Sequence, residues 1–186
     1  MNKFYKHPSS IIEKNVIIGI NSKIWHFSHI MNDVSIGNNC IIGQNVFIGE
    51  NVKIGDNCKI QNNVSIFNGV ILRNNIFCGP SCVFTNVRNP RAFIDQKQNF
   101  LNTIVESGAT IGANSTIICG NKIEEYAFIG AGSVVTKNIP RFALVYGNPA
   151  KKIGWVSKSG FKLGKSLVCP NDKSEYILKN NRLEIK

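Results

Sequence analysis

Acidic side chains are scarce in this chain. Eleven Asp and Glu stand against 22 Lys and Arg over 186 residues, leaving a formal charge of +11. Several signatures of chemistry are missing altogether. No GxSxG segment sets a serine on a nucleophile elbow, and no GxxxxGK[ST] loop cradles a phosphate. The six cysteines, at 40, 58, 78, 82, 119 and 169, form no CxxC pair. That argues against a zinc site or a disulfide framework and for reduced, structural thiols. No apolar stretch is long and charge-free enough to span a bilayer. Met1–Ser10 has no apolar signal-peptide core, so a cytoplasmic location is expected. The basic residues are scattered, with no basic helix and no aromatic-basic platform, which argues against nucleic acid as the partner. A nucleotide-like, multiply phosphorylated ligand fits the charge equally well. Much of the excess reflects a chain rich in Lys, Asn and Ile throughout.

One strong regularity is present. From Ile12 to Cys78 an apolar residue recurs every six positions, through Ile18, Ile24, Ile30, Ile36, Ile42, Ile48, Ile54, Ile60, Ile66 and Leu72. Four residues after each lead sits a second small or apolar side chain, as at Val16, Ser22, Val34, Cys40, Val46 and Cys58. Three residues after it stands, most often, Asn or Gly. The second apolar residue of one hexad and the lead of the next are two apart, so in a strand both point the same way. Each hexad therefore reads as a short strand with two inward side chains, followed by a corner. Asn and Gly enter left-handed backbone conformations at low cost, which suits them to that corner. A helix is excluded, because positions six apart on a helix do not share a face. Strand and corner every six residues is the signature of a hexapeptide β-helix. Three strands make a triangular coil of 18 residues, four coils over 12–83.

Along the chain, Met1–Ser10 reads as a lead-in, with Pro8 preventing a regular start. The repeat breaks after Phe84 and resumes at Val105, 21 residues later and out of phase. Thr85–Ile104 is therefore an excursion from a corner, and a loop of that length is often functional. It carries Asn86, Arg88, Arg91 and Lys97. Val105, Ile111, Ile117, Ile123, Ile129 and Val135 supply two further coils, making about six in a prism roughly 30 Å long at ~4.8 Å per coil. The pattern stops at Pro140. The expected organisation is thus an all-β chain: a β-helix domain over 1–140 with the inserted loop 85–104, and a C-terminal extension over 141–186. In the extension, Tyr176-Ile177-Leu178 and Leu183-Glu184-Ile185 suggest a small hairpin. Outward apolar residues fall on two faces, Trp25, His29, Phe47 and Val83 on one and Ile17, Met31, Phe67 and Ile71 on the other. Such faces imply a covered surface, and a cyclic trimer would cover one of them three times over; which one is left open.

The three histidines, His7, His26 and His29, allow two readings, a metal site or a general base. They cluster near the N-terminal end with no carboxylate beside them as a supporting shell, so no metal is expected.

Two stretches carry a resemblance. The repeat, followed by Ile129-Gly130-Ala131-Gly132-Ser133-Val134-Val135-Thr136-Lys137-Asn138-Ile139-Pro140 and Gly147-Asn148-Pro149-Ala150-Lys151, resembles the hexapeptide-repeat acyltransferases. That likeness implies a left-handed β-helix, although the general rule for parallel crossovers favours the right hand. It implies acetyl-CoA as acyl donor and a homotrimer with each active site between two prisms. It places pantetheine along Ala131 and Gly132, and the CoA phosphates near Lys137 and Lys151.

A closer likeness lies in Lys23-Ile24-Trp25-His26, Gly43-Gln44-Asn45-Val46-Phe47, Lys59-Ile60-Gln61-Asn62-Asn63-Val64 and Phe77-Cys78-Gly79-Pro80-Ser81-Cys82-Val83-Phe84-Thr85-Asn86-Val87-Arg88-Asn89-Pro90-Arg91-Ala92. These resemble the UDP-2-acetamido-3-amino-2,3-dideoxyglucuronate N-acetyltransferases of the WlbB/WbpD type, which serve surface-polysaccharide synthesis. Relatives acting on dTDP-3-amino-3,6-dideoxyhexoses share Phe-Thr-Asn but have Asp where this chain has Val87. Gln96 departs from the pattern, which has Arg before Lys97. The resemblance makes Asn86 the central catalytic residue, its oxygen orienting the sugar amine. Arg91 and Lys97 become candidates for a carboxylate or diphosphate, and His26, Gln61 and Asn62 for the sugar nucleotide. Two other classes stay open: a metal-dependent β-helical carbonic anhydrase and a non-catalytic scaffold.

Overall fold

The computed structural model describes residues 3–186; Met1 and Asn2, the start of the lead-in, lie outside the described residues. The hexads fold as their spacing requires. Lead residues and those two before them are buried, as at Ser22 and Ile24, Cys40 and Ile42, Cys58 and Ile60, Val64 and Ile66. The corners are left-handed: Asn15, Asn21, Asn39, Asn45, Asn51, Asn57, Asn63 and Asn75 all have φ between 55° and 60°. Phe27 holds the same conformation at φ 56°.

Short strands, most of them two residues long, stack into three parallel sheets, the walls of an all-β, left-handed parallel β-helix. The first sheet runs from Tyr5–Lys6 through Lys23–Ile24, Ile41–Ile42, Lys59–Ile60, Phe77–Cys78, Thr110–Ile111 and Phe128–Ile129 to Ala143–Tyr146. The second runs from Ile11–Ile12 through His29–Ile30, Phe47–Ile48, Ser65–Ile66, Val83–Phe84 and Thr116–Ile117 to Val134–Val135. The third runs from Ile17–Ile18 through Ser35–Ile36, Lys53–Ile54, Val70–Leu72 and Thr103–Val105 to Lys122–Ile123. Residues 18 apart pair in register, for example Lys23 with Ile41 and Ile24 with Ile42.

Side chains reinforce the stack. Asn38 Oδ1 accepts the Ile20 N–H, Asp56 Oδ1 the Asn38 N–H and Asn74 Oδ1 the Asp56 N–H, at 2.9, 2.7 and 2.9 Å. Each bond satisfies a corner amide with the side chain of the next coil. Gly19 and Gly37 make room for it, since a Cβ at Gly19 would lie 2.5 Å from Asn38 Oδ1 and one at Gly37 2.3 Å from Asp56 Oδ1. All six cysteines are buried and free. The neighbouring thiol and burial push Cys58 and Cys78 above the usual thiol range.

The prism is longer than the six coils the repeat implied. At the N-terminus, Tyr5–Lys6 already pairs with Lys23–Ile24. Pro8 takes a corner instead of blocking the start, because a corner demands no ladder N–H there. At the other end the first sheet continues past Pro140, with Phe128 opposite Leu144 and Ile129 opposite Val145. That offset is 16 residues, two short of a regular coil, so counting in sixes loses it. The excursion is also slightly shorter, since the strand resumes at Thr103.

The outer faces sort differently from the expectation. Trp25 stands at the rim of the first sheet, where Tyr5 meets it with ring centroids 5.5 Å apart. Met31 and Phe67 follow strands of the second sheet, and Phe67 packs 5.4 Å from Phe47. The misplacement comes from the residue after each lead, which belongs to the strand just ended and not to the next.

Beyond the prism, Lys151–Trp155 pairs antiparallel with Ala143–Tyr146, and Tyr176–Lys179 pairs with Arg182–Ile185 as the expected hairpin. Phe142, Leu163, Cys169, Tyr176 and Leu183 form a second apolar cluster. It is keyed to the prism by the stack of Phe142 on Tyr126, centroids 5.1 Å apart. Ion pairs from Arg141 to Glu125 and from Arg182 to Glu124 hold the same junction. No helix of the described residues is long and apolar enough to cross a membrane.

Candidate active site

The second sheet is bracketed by two edges, and the candidate residues divide between them. On the edge joining first and second sheets stand His26, Gln61, Asn62, Ala131 and Gly132. On the edge joining second and third sheets stand Asn86, the loop that carries Arg91 and Lys97, and Lys137. Lys151 opens the antiparallel strand and pairs with Tyr146 at the top of the first sheet. The two edges are separated by a six-residue hexad, up to about 20 Å of extended chain, so one copy does not bring all these groups together.

On the first of these edges the side-chain ladder stops partway up. Asn62 Oδ1 accepts the Gln44 N–H at 2.9 Å. The equivalent positions in higher coils are Pro80, Ala113 and Ala131, which have no side-chain acceptor to offer. Among the described residues, the N–H groups of Ala113 and Ala131 have no hydrogen-bond partner. Gly132 has a positive φ of 68°, and a Cβ there would meet nothing within 4 Å. The upper edge is thus a strip of bare backbone with amides pointing outward. Pantetheine, with its two amides, matches such a strip.

Lower on the same edge, Trp25, His26, Gln44 and Asn62 line a cavity of about 310 Å³. His7 and His26 stack with centroids 3.5 Å apart and 29° between their planes. Burial, with the His26 charge adding to it, keeps the His7 imidazole below its ordinary 6.5. His29 belongs to the second sheet, where Nε2 lies 3.1 Å from Glu13; the carboxylate that the sequence reading did not see is 16 residues away in the chain but one coil away in space.

On the second edge the loop leaves at Thr85. The Thr85 N–H donates to Ile117 O, and its Oγ1 accepts the Cys119 N–H, both at 3.0 Å. Asn86 O accepts the Leu101 N–H at 2.9 Å, pinching the loop at its base. Asn86 is half-buried there, and its side chain has no hydrogen-bond partner among the described residues. The loop spreads both ways along the edge. Arg88 and Leu101 pass over the bare corner at Gly120, with Arg88 Nη2 and Leu101 Cδ1 at 3.6 and 3.4 Å from where a Cβ would stand. Lys97 and Phe100 reach back to Met31, Glu50, Asn51 and Asn68, around a cavity of about 420 Å³. At its tip Phe93 is 85% exposed.

Sequence reasoning missed Trp25 and Gln44 as cavity walls, and Ala113 as the partner of Ala131. Stepping back by 18 from Asn62 reaches Gln44, and the same step from Ala131 reaches Ala113.

The comparisons agree with this architecture. A family model described as bacterial transferase hexapeptide (six repeats) matches residues 15–50. Another, the hexapeptide repeat of succinyl-transferase, matches 33–68 and 102–137. Hexapeptide repeats are thus matched over residues 15–68 and 102–137, the stretches that build the prism. Over 66 residues it is 58% identical to dTDP-3-amino-3,6-dideoxy-alpha-D-galactopyranose 3-N-acetyltransferase of Aneurinibacillus thermoaerophilus, covering 36% of this chain and 34% of that one. The matched stretches span about a third or less of the length of the curated relatives. Among solved structures it is similar to the acetyltransferase domain of PglB from Neisseria gonorrhoeae FA1090 in complex with acetyl coenzyme A, with TM-score 0.55, 16% identity, and coverage of 82% and 58%. It is also similar to a mutant of GDP-perosamine N-acetyl transferase from Caulobacter crescentus in complex with CoA and GDP-perosamine, with TM-score 0.52, 21% identity, and coverage of 81% and 57%. At these identities the structural likeness concerns the fold.

Proposed function

We propose that this chain is an acetyl-CoA-dependent N-acetyltransferase acting on the 3-amino group of a nucleotide-linked amino sugar, and that it works as a homotrimer. The observation that carries the reading is the division of groups between the two edges of the second sheet. Packing copies on that sheet sets the bare backbone strip of one copy against the Asn86 loop of its neighbour. Ala113 and Ala131 N–H groups then hold the pantetheine arm, while Lys151 of one copy and Lys137 of the other lie near the CoA phosphates. Arg91 and Lys97 face the diphosphate or a sugar carboxylate as charged donors.

In this arrangement the Asn86 side-chain oxygen accepts a hydrogen bond from the neutral sugar amine and aims its lone pair at the thioester carbonyl. Orientation of this kind supplies much of the rate for a nucleophile already competent when neutral. Backbone N–H groups stabilise the tetrahedral oxyanion. On collapse the C–S bond breaks, and the departing thiolate takes the surplus ammonium proton, giving amide and free thiol. No side-chain base is required.

Two acceptors fit. The basic loop and Val87 favour UDP-2-acetamido-3-amino-2,3-dideoxyglucuronate. The 58% identity to an enzyme named for a dTDP-3-amino-3,6-dideoxyhexose favours that sugar class. Thiol release from acetyl-CoA with each acceptor separates them, and fast release with one alone identifies the substrate. Asn86→Ala is expected to lower kcat by about a hundredfold or more, in the range typical of lost positioning, with the melting temperature unchanged. Full activity in that variant, or silence with both acceptors, removes the reading in favour of a scaffold.

A further inference from the structure

The lower part of the first–second edge holds an aromatic shelf that the acyl-transfer step does not use. The indole of Trp25 and the imidazole of His26 have nearly parallel planes, 7° apart, with centroids 6.2 Å apart. His7 backs His26 from the other side at 3.5 Å, and its Nδ1 is engaged by Ser9 Oγ at 2.8 Å, which fixes its ring. Trp25 remains 37% exposed. Against this shelf lie two primary amides, Gln44 and Asn62, across the cavity of about 310 Å³. Asn62 Oδ1 is committed to the Gln44 backbone N–H at 2.9 Å, so what the Asn62 amide has left to offer is its two N–H donors. The Gln44 amide has no partner among the described residues and offers both an acceptor and donors.

We infer that this shelf seats the pyrimidine base of the sugar nucleotide, stacked on Trp25 and His26 and read at its edge by the Gln44 and Asn62 amides. The inference rests on the sugar-nucleotide reading above. Uracil and thymine share an edge in which N3–H stands between two carbonyl oxygens. The Gln44 amide pairs with N3–H and one carbonyl at once, and Asn62 Nδ2 donates to the other. The height along the prism fits as well. Trp25 lies in the second coil and Asn86 leaves the fifth, three coils or roughly 14 Å apart, the span that a diphosphate must bridge between base and acceptor sugar. Lys97 reaches back to the levels between them, beside Glu50 and Asn68.

Tryptophan emission tests this directly, since the chain has two Trp and the other, Trp155, lies under Lys152 Nζ at 4.0 Å. UDP and dTDP are each titrated against the whole protein, and the tighter of the two identifies the base. Quenching is expected with the wild type and is expected to vanish in Trp25→Phe. Calorimetry of Trp25→Ala and Gln44→Ala is expected to show UDP or dTDP binding weakened on the order of tenfold or more, the scale of one lost stacking contact. Acetyl-CoA affinity and sedimentation mass are expected to stay at wild-type values. Wild-type nucleotide affinity in Trp25→Ala and Gln44→Ala overturns the inference. So does dissociation of the assembly by Trp25→Ala, which would mean that a second copy covers the indole, or no binding of either nucleotide to the wild type. If quenching and its loss are seen but neither amino sugar is acetylated, the base seat stands and the acceptor assignment falls.

Discussion

At the scale of single residues, the corners explain most of the composition. A corner needs a left-handed residue, and asparagine supplies it while its amide reaches the corner above. Asn45 Nδ2 donates to Asn63 Oδ1 at 3.0 Å, and Asn21 Nδ2 to Asn39 Oδ1 at 3.3 Å. Phe27 breaks this rule. It holds φ 56° with a bulky side chain that is 63% exposed, so it accepts the backbone strain while burying little. Left-handed backbone costs a residue with an ordinary Cβ about 1–2 kcal/mol. Phe27→Asn is therefore expected to stabilise the protein by about 1 kcal/mol, raising the melting temperature by roughly 2–4 °C for a chain of this size. The amide would sit directly below Asn45, in line with the existing ladder. A lower melting temperature would show that Phe27 stabilises the corner through contacts to the His26 ring, whose centroid is 6.0 Å away.

At the scale of the strand, the inward columns show where the repeat has been disturbed. In the third sheet one inward column reads Val34, Val52 and Val70, and then Thr103 at the point where the loop returns. The Thr103 hydroxyl is buried without a hydrogen-bond partner. An unpaired buried hydroxyl costs about 1–3 kcal/mol, and valine matches threonine in shape and strand preference. Thr103→Val is expected to move the urea midpoint upward by about 1 kcal/mol of stability at unchanged slope; a downward shift would refute the account of that hydroxyl. Such columns also show what was legible in the sequence. From Ile12 to Cys78 each hexad declares both inward positions, and strands, corners and sheet membership of the leads follow from arithmetic. Legibility failed wherever the arithmetic changed. The coil closed by Val145 is 16 residues long, so the first sheet's last prism strand could not be counted. Pro8 looked like a barrier because its corner place is invisible until Tyr5–Lys6 is known to be a strand. Asn86 and the loop could be picked out by the break in phase. Ala131 and Gly132 came from the resemblance; the bare amide of Ala113 shows only in the structure, because it is defined by what the next coil fails to provide.

At the scale of the whole molecule, charge distinguishes the three walls. A chain with 22 Lys and Arg spreads them unevenly. The first sheet displays Lys23 and Lys59, and the third displays Lys53, Arg73 and Lys122. The outward positions of the second sheet, from Ile11 through His29, Phe47, Ser65, Val83 and Thr116 to Val134, hold no Lys or Arg. Its ionisable groups, Glu13 and His29, lie against each other. Phe47 and Phe67 are in contact at its centre. A wall cleared of cations in so basic a protein is the one to expect between copies, because desolvating an unpaired lysine would cost more than the contact returns. The same wall lies between the two edges that divide the candidate residues, so assembly and activity should fail together. Phe47→Lys is expected to yield folded monomers with unchanged β-sheet circular dichroism, a reduced sedimentation mass and no acetyl transfer. A second arm tests the sharing of sites without disturbing the interface. Asn86→Ala and Gly132→Trp each disable one edge, the latter by filling the bare strip that now meets nothing within 4 Å. Subunits of the two variants, unfolded together and reassembled at equal amounts, should recover about a quarter of wild-type activity, since one interface in four then pairs two intact edges. Recovery near zero with intact trimers would show that each copy builds its site alone, and would move the shared surface away from the second sheet.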